Sequence, residues 1–152
     1  MDEIEALIAQ IRLNGRQVWM AGSQSEASVA ELEQAMGIAM PPSYRAFLLK
    51  FGGFSVGNSF ISGIVDGESL GKGTGWLFGD TQKFREDYQL PSYLLVVEAN
   101  EDAPYCLDSR SPDTSGEFPL VCYELHSRHV GRMANSFGEW FMEWLRLSAE
   151  ED

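Results

Sequence analysis

The feature that most constrains the fold of this chain is a cluster of large apolar side chains close to its C-terminus. They recur at spacings of three and four residues and therefore fall on one face of a helix: Phe137, Trp140, Phe141, Trp144 and Leu145. The pair Ser136 and Glu139 is typical of a capping box at the start of that helix. Each of the aromatic side chains can bury roughly 150 to 250 Å². We therefore expect this helix to cover one face of a β-sheet.

Three further helices are predicted in the N-terminal third of the chain, over residues 2–13, 28–37 and 42–51. The second begins at a capping box formed by Ser28 and Glu31. The third begins at a pair of prolines, which a first helical turn tolerates, and a pair of glycines ends it.

Extended structure is predicted after these helices. A short strand at 60–64 precedes a glycine-rich loop at 66–75, a further short strand at 76–78 and a surface helix capped by Asp80 that extends to Tyr88. Four more strands follow, separated by turn-forming residues: 94–99, 105–108, 120–125 and 130–134. Short strands with brief connections favour an antiparallel meander.

These elements predict a single α+β domain over residues 1–152. It has N-terminal helices, a mainly antiparallel central sheet of about five or six strands, and a C-terminal amphipathic helix packed on that sheet. At 44% apolar residues the chain has enough hydrophobic surface to form one core without disulfides or metals. No internal repeat or linker divides it.

The balance of charge is strongly acidic, with a formal net charge of −12 and a pI of about 4.5. Such a surface repels phosphate backbones and anionic membranes, so we expect neither nucleic acid nor a membrane as a partner. The same field accelerates encounter with basic proteins. The N-terminus lacks the basic and apolar pattern of a secretory signal, and we expect a cytoplasmic protein.

Residues that could carry chemistry are few. The glycine-rich loop lacks the spacing of a phosphate-binding loop, because Gly73 follows Lys72 where such a loop needs serine or threonine. His126 and His129 favour an exposed polar turn over a zinc site. Cys106 and Cys122 lie in apolar segments and are expected in the core as free thiols. We therefore expect no catalytic residues, no metal and no cofactor.

Acidic residues are instead concentrated in the less regular segments, where recognition usually resides. Trp76 lies beside several of them and is a candidate aromatic anchor, although an ordinary core tryptophan is the alternative. The predicted partner-binding residues are Asp66, Glu68, Trp76, Asp80, Glu86, Asp87, Glu98, Glu101, Asp102 and Asp108.

The order of these segments resembles the SUKH superfamily, which includes fungal cell-wall-assembly regulators and many bacterial immunity proteins. The segment 40–48, Met-Pro-Pro-Ser-Tyr-Arg-Ala-Phe-Leu, is similar to the family's Leu-Pro-x-x-Tyr-x-x-Phe-Leu helix, and Phe-Gly-Gly follows at 51–53. The strands at 94–98, 105–108 and 119–123 and the closing segment 136–141 continue the likeness. Met40 stands where leucine is usual, and Gly52 where asparagine is common.

This resemblance covers about residues 28–147 and implies an α+β fold and a binding role without catalytic residues. In bacteria it implies an immunity protein that binds and neutralises a cognate toxin, often a nuclease. The acidic charge predicts that the toxin domain is basic and docks by charge complementarity. The alternative is a regulatory or scaffold module of the same fold with no toxin partner. The sequence does not indicate the oligomeric state.

Overall fold

The computed structural model describes residues 2–151, which contain five helices and seven strands. In chain order they are α1 (Glu3–Leu13), β1 (Val18–Met20), α2 (Glu26–Met36), α3 (Pro42–Lys50), β2 (Phe54–Val56), β3 (Ser59–Ile61), α4 (Leu77–Tyr88), β4 (Leu94–Glu98), β5 (Tyr105–Asp108), β6 (Leu120–Tyr123), β7 (Val130–Ala134) and α5 (Phe137–Glu150). The predicted α+β class, the N-terminal helices and the C-terminal helix on the sheet are confirmed.

The strands form two antiparallel sheets, in the orders β1-β2-β3 and β4-β5-β6-β7, where the sequence predicted one central sheet. The four-stranded sheet is the predicted meander. The two sheets approach each other where the Ser62 amide donates to the Val97 carbonyl oxygen at 2.7 Å. They remain separate sheets because β3 has already ended at Ile61 and this bond does not extend into a ladder of strand pairing.

Strands β4, β5 and β6 of the four-stranded sheet are largely buried on both faces, which explains the uninterrupted apolar run of β4, whereas the edge strand β7 is partly exposed. Leu95 and Val97 lie in the larger core with α5, whereas Leu94 and Val96 lie in a second, smaller core with Phe84 of α4. Adjacent residues of a strand point to opposite faces. Helix α4 therefore covers one face of the sheet and α5 the other.

Aromatic side chains dominate the core on the α5 face. The ring of Phe137 lies with its centroid 4.9 Å from those of both Tyr44 and Phe47, and 5.7 Å from that of Phe141. Tyr44 is fully buried, and its hydroxyl donates to the Ser62 carbonyl oxygen at 2.7 Å. This contact joins α3 to the segment after β3.

A close backbone contact fixes the end of α3 against the segment after β3. Gly52 has a φ of +74°, and a Cβ there would lie 2.5 Å from the carbonyl oxygen of Gly22. A Cβ at Gly63 would lie 1.7 Å from the carbonyl oxygen of Gly52. Only glycine fits at either position. The Ile64 amide donates a hydrogen bond to the Gly52 carbonyl oxygen at 2.9 Å and completes the contact.

Several local predictions are corrected by the structure. Helix α2 begins at Glu26, because Ser25 and not Ser28 is the cap, accepting from the Ser28 amide at 3.0 Å. Residues 77 and 78, predicted as strand, begin helix α4, and Trp76 stands at its N-cap in place of Asp80. The cap of α5 is as predicted, since Ser136 accepts from the Glu139 amide at 3.1 Å.

Both cysteines are free thiols on neighbouring strands. Cys106 pairs with Val121 and lies in the core under α4, whereas Cys122 pairs with Tyr105 and is only partly buried. Because paired residues share a face, the two side chains lie on opposite faces of the sheet.

Candidate functional site

A groove runs along one side of α4, between that helix, the segment around β3 and the turn that joins β4 to β5. It consists of two adjoining cavities of about 570 and 250 Å³, which share Thr74, Asp80 and Ala99. Glu98, Glu101 and Asp102 also line it, and Lys83 is the one cation among its lining residues within the described chain. We call this feature the acidic groove. It brings together four of the ten residues predicted from the sequence.

Asp80 forms the floor of the acidic groove and is buried, with only 4% of its surface exposed. Its carboxylate accepts hydrogen bonds from the Ser62 hydroxyl and from the Gly75 amide, the latter at 3.3 Å. Burial raises the pKa of the Asp80 carboxyl, although these two hydrogen bonds oppose the rise. The Asp80 carboxylate, a predicted partner-binding group, is therefore already engaged within the fold.

Glu101 and Asp102 lie on the exposed turn between β4 and β5, and their carboxylates have no hydrogen-bond or ion-pair partner within residues 2–151. Other groups hold the turn in shape. The side-chain oxygen of Asn100 accepts from the amides of Asp102 and Ala103 at 3.1 and 3.2 Å, and Leu125 donates to the Asp102 carbonyl at 3.0 Å. Both carboxylates are therefore available to a partner.

The glycine-rich loop before α4 is organised around Trp76. Its indole N–H donates to the Glu68 carbonyl oxygen at 2.9 Å, and its ring lies so close to Gly71 that a Cβ there would approach it to 2.3 Å. The half-buried tryptophan holds the loop against the fold, although it belongs to neither of the two apolar cores. Asp66 and Glu68 are exposed on the same loop.

The remaining predicted residues are scattered. Glu86 and Asp87 are exposed near the end of α4, outside the lining of the acidic groove. Asp108 lies at the other end of the sheet, since it pairs with Leu94 whereas Glu98 pairs with Tyr105.

Asp108 is buried and forms a bidentate ion pair with Arg110, with distances of 3.1 and 2.8 Å. Burial alone would raise its pKa, but the hydrogen bonds and the charge of Arg110 outweigh burial and lower it. This carboxylate is engaged within the fold, as that of Asp80 is.

Aromatic side chains that the sequence did not single out lie at both ends of the acidic groove. Phe60 lines one end and Tyr88 the other, each 42% exposed. Trp19 is 41% exposed, and its ring centroid lies 6.1 Å from that of Phe60. The two rings meet because Trp19 and Phe60 both pair with Ser55, from opposite sides of β2. The sequence did not predict this aromatic pair because the pair depends on the register of β1 and β3 against β2.

The described residues contain neither a candidate metal site nor a candidate membrane-spanning helix. Within residues 2–151 no group of three or more His, Cys, Asp or Glu side chains is arranged to hold a metal ion. His126 and His129 are exposed on the connection between β6 and β7. In the same part of the chain, no helix combines the length and the apolar character that crossing a membrane requires.

The fold and the acidic groove define an α+β domain with a recessed acidic surface suited to protein recognition. The family model described as SUKH_5, SMI1-KNR4 cell-wall, matches residues 4–146, which is nearly the whole chain. The chain therefore belongs to the SMI1-KNR4 family of SUKH domains. The superfamily includes both immunity proteins and regulators, and membership indicates protein–protein interaction in general.

Proposed function

We propose that this SUKH domain is an immunity protein that binds and neutralises a cognate toxin, a basic nuclease-type domain, through the acidic groove. The observation that carries the proposal is the pair Glu101 and Asp102, two exposed carboxylates with no structural task within residues 2–151, on a chain of net charge −12. A nuclease domain has a basic surface for nucleic acid, so covering that surface with carboxylates would block its substrate.

Electrostatic steering of a basic partner supports binding at the acidic groove. Carboxylates on a recessed surface concentrate the field of the protein and raise the rate of association with a basic partner, in a way that salt suppresses. The exposed rings of Phe60 and Tyr88 supply apolar contacts at the ends of the groove, and the ring of Trp19 lies beside that of Phe60. Aromatic side chains of this kind carry much of the binding energy in protein interfaces.

A regulatory or scaffold module is the second candidate function. The family description, which refers to the cell wall, favours it. In this case the acidic groove would receive a signalling protein and no toxic activity would be neutralised.

We also propose that the domain is not an enzyme and acts in the cytoplasm. The state of the cysteines supports the first part, because burial strongly raises the pKa of the Cys106 thiol, the opposite of what a nucleophile requires. Alanine replacement of His126, His129, Cys106 and Cys122, with binding and neutralisation retained, would support a non-catalytic role. Loss of neutralisation in a folded variant that still binds the partner would contradict it.

The test replaces the two free carboxylates of the turn. We expect Glu101→Lys combined with Asp102→Lys to slow association with the toxin domain by about tenfold or more at low salt, with a smaller effect at high salt. The matched control is Glu31→Lys combined with Glu150→Lys, which makes the same change in charge at exposed positions on α2 and α5.

The partner is first isolated with the tagged wild-type chain in the native host and washed at low and high salt. The purified partner is then assayed for nuclease activity during titration with each variant. Stoichiometric inhibition by the wild type and the control, lost in the groove variant, would support the proposal. Equal inhibition by all three would exclude the acidic groove as the interface. A partner with signalling activity and no toxicity would favour the regulatory function.

A further inference from the structure

A second pocket lies on the opposite side of the four-stranded sheet, beneath α5. Its volume is about 350 Å³, and the residues that give it its character are Tyr105, Trp140, Trp144, Glu98, Glu139 and Glu143. We call it the aromatic pocket. Met133 and Leu147 also line it, and each is 53% exposed, so the pocket opens to solvent.

A β-bulge directs Glu98 toward this pocket. The pairing of β4 with β5 passes from Val96 opposite Cys106 to Glu98 opposite Tyr105, so that Val97 and Glu98 together face one residue. A bulge of this kind re-aims a side chain that strict alternation would send to the other face. Glu98 consequently lines the aromatic pocket together with its partner Tyr105, and it also borders the acidic groove at the end of β4.

Aromatic rings form the walls of the pocket. The rings of Tyr105 and Trp140 lie with centroids 5.5 Å apart and planes inclined at 38°. Trp144 packs on Phe141, with ring centroids 6.2 Å apart, and its indole lies beside the carboxylate of Glu98. A flat cation would therefore meet ring faces and a carboxylate in one cavity.

The charge of the pocket is not balanced by the protein itself. The one lining cation among the described residues, Arg146, is engaged with Glu3 and approaches Glu143 at 3.7 Å. Within residues 2–151, Glu98 and Glu139 have no ion-pair partner. Burial raises the pKa of the Glu98 carboxyl, although the neighbouring Trp144 indole opposes the rise. A cation entering the pocket would compensate for that lost solvation.

We propose that the aromatic pocket receives a single arginine side chain of a protein partner, with the guanidinium paired to Glu98 and stacked on the tryptophan rings. Arginine suits this pocket better than lysine does. Its guanidinium is planar, stacks on aromatic faces, pairs with a carboxylate through two hydrogen bonds and is more weakly hydrated than an ammonium group. The pocket is separate from the turn that carries Glu101 and Asp102, and the inference holds whether the partner is a toxin or a regulator.

The probe is the blocked tripeptide acetyl-Gly-Arg-Gly-amide, compared with the same peptide carrying citrulline, which has nearly the same shape without the charge. Binding is followed by NMR through the indole N–H resonances of the chain's 4 tryptophans, assigned with single Trp→Phe variants. We expect saturable shifts at Trp140 and Trp144 with a Kd on the order of 1 mM, and about tenfold weaker binding of the citrulline peptide.

The variant Glu98→Gln keeps the shape of the side chain and removes its charge. We expect it to weaken binding of the arginine peptide about tenfold, whereas the matched control Glu31→Gln, at an exposed position on α2 away from both pockets, leaves the affinity unchanged. Dispersed indole resonances in the Glu98→Gln variant establish that it is folded. Equal binding of the two peptides, an unchanged affinity in Glu98→Gln, or shifts absent from Trp140 and Trp144 would each overturn the inference.

No toxin is needed for this experiment, so its result is independent of the proposed immunity function. If the peptide binds and the native partner proves not to be a toxin, only the immunity proposal fails. If the partner is neutralised through the acidic groove and the peptide does not bind, only the arginine pocket fails.

Discussion

The two faces of the four-stranded sheet are covered in different ways. On the α5 face, interlocked aromatic rings from α3, β2 and α5 fill a large core, among them Phe47, Phe54 and Phe141. On the α4 face the apolar cluster is smaller, and polar contacts attach the helix to the sheet. The difference indicates that the α5 face supplies most of the stability, whereas the α4 face sets the position of the helix that lines the acidic groove.

The polar contacts on the α4 face are specific. Thr81 is fully buried, and its hydroxyl oxygen accepts from the Val96 amide at 3.0 Å. The guanidinium of Arg85 donates to the Ser92 carbonyl oxygen at 2.7 Å, and Asp80 accepts from Ser62. Hydrogen bonds fix direction as well as distance, so they hold α4 in one orientation over the strands.

Removing one ring from each face gives the largest expected effect. Phe137→Ala should lower the free energy of unfolding by about 5 kcal/mol, because four neighbouring rings surround Phe137 and leave a cavity that cannot collapse. Phe84→Ala should cost about 3 kcal/mol, since its one aromatic neighbour is Tyr88 on the same helix. Urea denaturation of both variants measures the difference, and equal losses would contradict the division of roles.

A smaller effect is expected from removing one polar contact under α4. Thr81→Val keeps the shape of the side chain and leaves the Val96 amide unpaired, at a cost of about 1 to 3 kcal/mol. Native-state hydrogen exchange should show reduced protection of the backbone amides in α4 and β4, with a smaller reduction in α5. Thr114→Val, at an exposed loop position, is the control and should change neither quantity. Uniform loss of protection across the domain would indicate that the two faces unfold together.

The smallest expected effect is a dependence of stability on pH at Asp108, on the α4 side of the molecule. Its pKa is lowered by Arg110, so its contribution is present above the unfolded pKa of about 3.9 and disappears as the pH falls through its folded pKa. Asp108→Asn should therefore lose about 1 kcal/mol near neutral pH and nothing at strongly acidic pH, measured by denaturation across that range.

Asp80 provides the contrasting control, because burial raises its pKa. For such a group the ionised form is disfavoured in the folded state, and the wild type should gain stability relative to Asp80→Asn as the pH falls from neutral toward 3.9. Both residues are buried, but among the described residues Asp80 has no ion-pair partner, so opposite slopes are expected if the ion pair with Arg110 outweighs burial at Asp108. Parallel slopes would show that burial alone governs both.

The elements that the sequence predicted best are those whose signal is local. Helix α5 has a cap, a period and a large apolar face within fifteen consecutive residues, and its start was predicted correctly. The strands β1 and β2 have three residues each, too few for any periodicity to show. Residues 76–78 were predicted as a strand because their apolar run resembles one; Trp76 is indeed extended and bridges Gly63, but α4 already begins at Leu77.

The sequence predicted which kind of residue would form the candidate site, but it did not predict which of these residues lie together on one surface. Exposed acids in loops were expected, and Glu101 and Asp102 are of this kind. That Asp80 is buried depends on Ser62, which is distant in sequence, and the pairing of Trp19 with Phe60 depends on the register of β1 and β3 against β2. Such relations arise only in the folded chain.

The turn between β4 and β5 has a consequence for how partner choice can change over generations. Asn100 and the backbone shape this turn, and the side chains of Glu101 and Asp102 contribute nothing to it. Substitutions at these two positions can therefore alter which surface the domain captures without passing through unstable intermediates. The side chains available for recognition are not those that shape the turn. A new specificity can therefore arise one residue at a time on an unchanged scaffold.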